Sequence, residues 1–132
     1  IDWARVKVET VRADTVADSI AVDRPRDGLA AVKAIIESGG EAVTVPDNEI
    51  LSAIPEMSRL AGVFPEPAAA APLAALKKML ADKTVDADEC VVLVVSGSGL
   101  KDVGRAAEAA RQPTIIEPTL DAVRRSLDAR EA

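Results

Sequence analysis

The sequence predicts a three-layer α/β fold, in which a mostly parallel sheet of about four strands is flanked by helices on both faces. Residues 91–95 form an unbroken run of branched apolar side chains, which is typical of a strand buried on both faces of a parallel sheet. Earlier in the chain, short apolar segments at 19–22 and 41–45 enclose an amphipathic stretch, with the spacing of a strand–helix–strand unit. We therefore treat residues 1–132 as a single α/β region.

The first third of the chain is predicted to hold three strands and one helix. Residues 5–10 alternate polar with apolar side chains, and residues 19–22 are a short apolar piece, so each is predicted to be a strand. The helix that follows begins after Asp27, a residue type that caps helices. It ends at the glycine pair 39–40, either of which suits a left-handed C-terminal turn. Residues 41–45 form the next strand.

Two helices are predicted in the middle of the chain. Asp47 is expected to cap the first, and Pro55 to split or bend it, because the proline ring clashes with the preceding turn and lacks an N–H. The second opens at Glu66 and Pro67, where the carboxylate lies near the positive end of the helix dipole. Four alanines at 68–71 give this helix a narrow face that can pack very closely on a neighbour.

The last third of the chain is predicted to alternate strands and helices. A charged surface loop at 82–89 leads into the strand at 91–95, and a helix runs from residue 100 to about 111. Residues 113–118 are predicted to be a last short strand, and Thr119 is expected to cap the final helix.

The composition excludes several classes of function. The net charge of −6 argues against nucleic acid as a partner. No apolar run approaches the roughly 20 residues that a membrane helix needs, so we expect no membrane contact. The chain has no histidine and only one cysteine, Cys90, which makes a metal site improbable and an internal disulfide impossible. We expect a cytoplasmic protein in which Cys90 packs inertly.

The Ser-Gly-Ser-Gly turn after the strand at 91–95 is the candidate ligand site, because open α/β sheets bind ligands at the carboxyl ends of their strands. Gly97 and Gly99 allow close approach of the backbone, and Ser96 and Ser98 offer hydroxyl groups. A tight strand-to-helix turn would need glycine in any case. A dinucleotide fingerprint would require glycine where Asp102 stands, and no Gly-Lys-Ser/Thr phosphate loop is present. An anion nest at the helix start stays open.

Four segments resemble threonine synthase, a pyridoxal-phosphate enzyme of the tryptophan-synthase β-like (fold type II) group. They are DTVADSIAV (14–22), ESGGEAVTVPDNEIL (37–51), AGVFPEPAAAA (61–71) and SGSGLKD (96–102), in the order and approximate spacing of that family. The resemblance implies a small amino-acid substrate, O-phosphohomoserine, which the family converts to threonine and phosphate.

The resemblance also implies roles for the Ser/Gly turn. Ser96 matches the threonine or serine whose hydroxyl bonds the pyridine nitrogen of the cofactor, and Gly97 and Gly99 let the backbone pass close to the ring. A neutral hydroxyl in that place does not enforce a protonated ring, which makes the ring a weaker electron sink. Ser98 stands where the family commonly has histidine.

Three further residues are assigned to the edge of the pocket: Ser98, Glu66 and Lys101. The competing interpretation of Glu66 is a helix-start carboxylate that binds backbone N–H groups, and it is the one we favour. For Lys101 the favoured interpretation is an exposed ion pair with Asp102.

The resemblance covers only the C-terminal part of the family. The lysine that forms the Schiff base and the loop that holds the cofactor phosphate lie upstream in threonine synthases, and no lysine here stands in the matching context. We therefore expect no catalytic residue in this fragment, and predict that the 132-residue chain alone is inactive. Its partner would be the remainder of its own chain, in a homo-oligomer, and the isolated chain should self-associate through an unpaired sheet edge. Cysteate synthase, threonine dehydratase and a non-catalytic stand-alone binding module are the alternatives.

Overall fold

A computed structural model describes the backbone of residues 1–110 and 113–131, with side chains up to residue 129. The α-helices in these ranges are α1 (Gly28–Ser38), α2 (Asp47–Ala61), α3 (Pro67–Ala81), α4 (Val103–Ala109) and α5 (Leu120–Glu131). Short 3₁₀ turns occur at Trp3–Arg5, Asp18–Ile20 and Gly99–Lys101. In the part of the chain that the structure describes, no helix has the length and apolar character needed to cross a membrane.

The core lies between α2 and α3, and α4 also packs against α2, with Ala109 in contact with the core. Three kinds of residue fill it: apolar side chains of α2, alanines of α3, and Ala17 from the segment before α1. Its buried members are Ala17, Ile50, Ala53, Ile54, Ala68, Ala70 and Ala74. Small side chains on α3 allow the two helices to approach closely, so the predicted narrow alanine face is confirmed.

The helix ends follow the glycine pattern of the sequence. Gly39 and Gly62 follow α1 and α2 with φ of 68°, a left-handed conformation that glycine adopts without steric cost. Pro55 was predicted to split or bend α2. The split is wrong, because the helix is continuous from Asp47 to Ala61, and a bend stays a prediction. Pro55 is exposed, so water can bond the carbonyl of the preceding turn that lost its N–H partner.

The caps agree only in part with the prediction. The Thr119 side chain accepts from the backbone N–H of Ala122 at 3.2 Å, which confirms the cap of α5. Asp27 makes no side-chain bond to α1, so that predicted cap is wrong. The helix predicted from 100 to about 111 is divided into the 3₁₀ turn Gly99–Lys101 and α4, and its expected end at 111 lies outside the described residues.

The predicted strands form no sheet within residues 1–110 and 113–131. The strand predicted at 19–22 is wrong, because Asp18–Ile20 is a 3₁₀ turn closed by the N–H of Ala21 on the carbonyl of Asp18. Arg5, the first residue of segment 5–10, belongs to the 3₁₀ turn Trp3–Arg5. Segments 6–10, 41–45, 91–95 and 113–118 have neither helix nor ladder hydrogen bonds. The described β pairing is one isolated antiparallel bridge between Pro65 and Ser98. A strand needs a neighbouring strand to form its ladder, so the parallel sheet stays a prediction.

The segment 91–95 is covered on one side only. Leu93 and Val95 line an apolar groove of about 230 Å³ against α2 and α3, whereas Val92 and Val94 are 83% and 71% exposed. The expected burial on both faces is therefore absent, since no element in the described part of the chain covers the outer face. Cys90 is exposed, so its predicted inert packing is wrong.

Candidate functional site

The side chain of Glu66 connects three of the four segments that the sequence singled out. Glu66 directly precedes α3 and is only 4% exposed. One carboxylate oxygen, Oε2, accepts a hydrogen bond from the Ser19 hydroxyl at 3.0 Å. The other, Oε1, accepts from Lys101 Nζ at 3.2 Å. Both oxygens of this buried carboxylate are therefore satisfied, as burial of a charge requires.

This arrangement overturns the interpretation that we favoured for Glu66. Its side chain makes no hydrogen bond to the backbone N–H groups at the start of α3. A hydroxyl and an ammonium group from distant parts of the chain bind the carboxylate instead. The predicted ion pair between Lys101 and Asp102 is also wrong, because Lys101 pairs with Glu66. Asp102 accepts from the backbone N–H of Arg105 at 3.1 Å and caps α4.

Backbone hydrogen bonds hold the Ser/Gly turn against the residues before α3. The N–H of Glu66 donates to the carbonyl of Gly97 at 3.1 Å, and the N–H of Gly99 donates to the carbonyl of Phe64 at 2.9 Å. Together they form the antiparallel bridge centred on Ser98. The turn is therefore fixed at two successive points by a segment more than 30 residues earlier in the chain.

Both glycines of the turn are required by close contacts inside the protein. A Cβ atom added to Gly97 would lie 1.9 Å from Glu66 Oε1, and one added to Gly99 would lie 2.5 Å from the Phe64 ring. Neither distance is compatible with a methyl group. The sequence suggested that these glycines make room for a cofactor ring. The structure gives both an intramolecular reason, and their contact with a ring stays a prediction.

The two hydroxyls of the turn have different surroundings. Ser98 Oγ accepts from the backbone N–H of Leu100 at 3.3 Å and so caps the 3₁₀ turn that carries Lys101. Ser96 is exposed, and its hydroxyl makes no hydrogen bond with any residue in the described ranges. Ser96 directly precedes Gly97, whose carbonyl accepts from the N–H of Glu66, so the backbone beside Ser96 is fixed by the fold.

Asp47 joins segment 37–51 to segment 14–22. From the sequence it was predicted to cap α2 instead. Asp47 lies in the first turn of α2 and makes no cap bond there. Its carboxylate accepts from the Thr15 hydroxyl at 2.6 Å and from the N–H of Val16 at 3.0 Å. The negative charge also faces the positive end of the α2 dipole. This junction brings Ala17 into the core, where it is fully buried.

Sequence reasoning thus missed three contributors to the site: Thr15, Ser19 and the true role of Asp47. The signal that could have found them was present, because all three lie in segments with a family resemblance.

Elsewhere on the surface, a hydrogen bond from Arg105 to Glu108 raises the pKa of the arginine. Within the described residues, no group of three acidic, histidine or cysteine side chains could hold a metal ion.

Comparison with known proteins gives consistent results. Residues 2–97 match the family described as "Pyridoxal-phosphate dependent enzyme". The chain is 38% identical over 114 residues to a threonine synthase of Methanosarcina acetivorans, and 39% identical over 114 residues to one of Methanocaldococcus jannaschii. It is also 40% identical over 89 residues to a threonine synthase of Mycobacterium tuberculosis.

These alignments cover most of this chain but a small part of each relative. The two archaeal proteins align with 86% of this chain, which spans 28% of their own length. The mycobacterial protein aligns with 67% of this chain, which spans 25% of its length.

Proposed function

The chain belongs to the pyridoxal-phosphate-dependent enzymes, and we propose that it is the C-terminal part of a lyase of the threonine synthase type. Membership of this family carries an α/β fold and the use of pyridoxal phosphate. The segments at 41–45 and 91–95 are proposed to become strands by pairing with strands of the longer protein. Burial of Val92 and Val94 in that sheet would remove apolar surface that is exposed in this chain.

The observation that carries the proposal is the free hydroxyl of Ser96 next to a rigidly held backbone. The residues present suit a pyridine nitrogen, because Ser96 offers one neutral donor with no partner in the described ranges. The hydrogen bonds of Gly97 and Gly99 prevent the turn from moving away. In this assignment Ser96 holds the ring nitrogen, while Ser98 and Lys101 serve the turn itself.

The proposed reaction converts O-phosphohomoserine and water into threonine and phosphate. The bond between the terminal carbon and the phosphate oxygen breaks, and phosphate leaves. The neighbouring carbon gives up a proton and receives the hydroxyl of water, and the terminal carbon takes up a proton to become a methyl group. When bound, pyridoxal phosphate supplies an electron sink for the charge left when a proton is removed from the amino acid. Ser96 orients the ring without adding a charge to it. Glu66, which is buried, and the backbone of the turn keep Ser96 in place.

The remaining chemistry is assigned to the rest of the protein. The Schiff-base lysine and the phosphate loop are proposed to lie outside these 132 residues. The partner of this chain is then the remainder of its own polypeptide, and a homo-oligomer is the expected assembly. The 132-residue chain alone is proposed to be inactive and to self-associate through residues 91–95.

Two measurements test this function. The first is the intact mass of the protein as its own cell produces it, with two to four times the mass of this chain expected. The second is phosphate release from O-phosphohomoserine, which the native protein should catalyse and the purified 132-residue chain should not. A native mass equal to this chain, or turnover by the chain alone, would overturn the proposal. Formation of a keto acid and ammonia from threonine would instead identify a dehydratase.

A further inference from the structure

We propose that Glu66 is a positioning residue for Ser96, and that its buried carboxylate sets the affinity of the protein for pyridoxal phosphate through the Ser/Gly turn. This inference rests on the proposed function, since it takes Ser96 as the partner of the ring nitrogen. Glu66 itself is not assigned a contact with the cofactor.

The first argument is geometric. Glu66 holds the turn by its backbone, through the N–H that donates to Gly97, and by its side chain, through the ion pair with Lys101. These two interactions hold the first and the last residue of 97–101, the five residues that follow Ser96. Oε1 also fills the space beside Gly97 that a Cβ would otherwise occupy. The backbone next to Ser96 therefore cannot shift toward Glu66, and the hydrogen bond keeps it from shifting away.

The second argument comes from burial and charge. The Glu66 side chain is 5% exposed, whereas that of Lys101 is 60% exposed. Lys101 can therefore exchange its partner for water at small cost, but the carboxylate cannot. Ser19 supplies the second partner from the other side and ties the carboxylate to the 3₁₀ turn at Asp18–Ile20. Glu66 is thus the fixed member of the network, and the turn is positioned relative to it.

The experiment measures the dissociation constant of pyridoxal phosphate for the native protein, by titrating the cofactor-free form and following absorbance. Glu66→Gln keeps the size of the side chain but removes its charge. Loss of one oriented hydrogen bond to the ring should weaken cofactor binding by about tenfold. Ser19→Ala removes one partner of the carboxylate at an exposed position, and should produce a smaller loss of about threefold.

The matched control is Glu56→Gln. Glu56 pairs with Lys77 across the surface of α2 and α3 at 2.5 Å, and neither side chain makes a described hydrogen bond to the Ser/Gly turn. This variant removes the charge from another carboxylate that is paired with a lysine, so it reports general effects of lost charge. Its affinity for pyridoxal phosphate should equal that of the unaltered protein.

A double variant separates positioning from general stability. If Glu66 acts through Ser96, then Glu66→Gln should weaken binding in the unaltered protein but add nothing in a Ser96→Ala background. An equal loss in both backgrounds, or no loss in either, would overturn the inference. If Ser96→Ala leaves the affinity unchanged, Ser96 is not the ring partner, and the proposed assignment of Ser96 fails together with this inference. An effect of Ser96→Ala without any effect of Glu66→Gln removes the inference alone.

Discussion

Replacement of Gly97 by alanine is the sharpest test of the junction around Glu66. The new methyl carbon would lie 1.9 Å from Glu66 Oε1 and 2.4 Å from its Cδ. Ordinary contact begins at 3.4 Å, so the carboxylate or the turn must move by about 1.5 Å. A displacement of that size breaks the 3.0 Å bond from Ser19 and the 3.2 Å bond from Lys101.

The expected loss of stability follows from these two bonds. A hydrogen bond to a charged group contributes about 1.5–3 kcal/mol to stability. Lys101 is mostly exposed, so water replaces part of the interaction that it loses with Glu66. We therefore expect Gly97→Ala to lower the free energy of unfolding by about 2–3 kcal/mol. Urea unfolding of this chain, followed by far-ultraviolet circular dichroism, measures the change.

Two further variants make that result interpretable. Gly104 lies in the first turn of α4, and the nearest atom to an added Cβ is Asp102 Oδ1 at 3.8 Å, so Gly104→Ala should cost no stability and should stabilise by at most about 0.5–1 kcal/mol. Combining Gly97→Ala with Glu66→Ala removes the clashing carboxylate, so the double variant should lose less stability than the sum of the single ones. Strict additivity, or a Gly97→Ala variant as stable as Gly104→Ala, would refute the reasoning.

Three other expectations can be checked on the same chain. Asp47→Ala removes the acceptor of Thr15 and Val16, so it should destabilise by about 1–3 kcal/mol and hasten protease cleavage near residue 15, unlike Asn48→Ala. Ile54→Ala opens a cavity in the α2–α3 core and should lower the unfolding free energy by about 2–5 kcal/mol. A loss within about 0.5 kcal/mol, the usual range of surface changes, would contradict the burial of Ile54. Cys90 should react with a thiol reagent in the folded chain as fast as in urea, and strong protection would show that it is covered.

The helices could be read from the sequence because their signals are local. Apolar residues at helical spacing, prolines in the first turn and glycines after the last turn lie within a few residues of each other. The sheet could not be confirmed in the same way, because a ladder depends on strands that a segment such as 91–95 must find elsewhere. The 3₁₀ turn at Asp18–Ile20 shows the opposite error, a short apolar segment whose backbone bonds are satisfied locally.

The residues of the candidate site also differ in whether local sequence signals could identify them. Ser96 and the two glycines were identified by a motif of consecutive residues and by family resemblance. The partners of Glu66 were missed because Ser19 and Lys101 are separated from it by 47 and 35 residues. A local pattern favoured a helix-start role for Glu66, but a buried carboxylate is governed by whichever donors the fold brings to it.

The adjacency of α2 and α3 has a consequence for the order in which the chain folds. The two helices follow each other with only residues 62–66 between them, so their interface forms without closing a long loop. The bonds that Glu66 makes to Ser19 and Lys101 close much longer loops and follow later on the pathway. Changes at Glu66 should then accelerate unfolding while leaving the folding rate nearly unchanged. We therefore expect the α2–α3 pair to form early and the Ser/Gly turn to be fixed against it last.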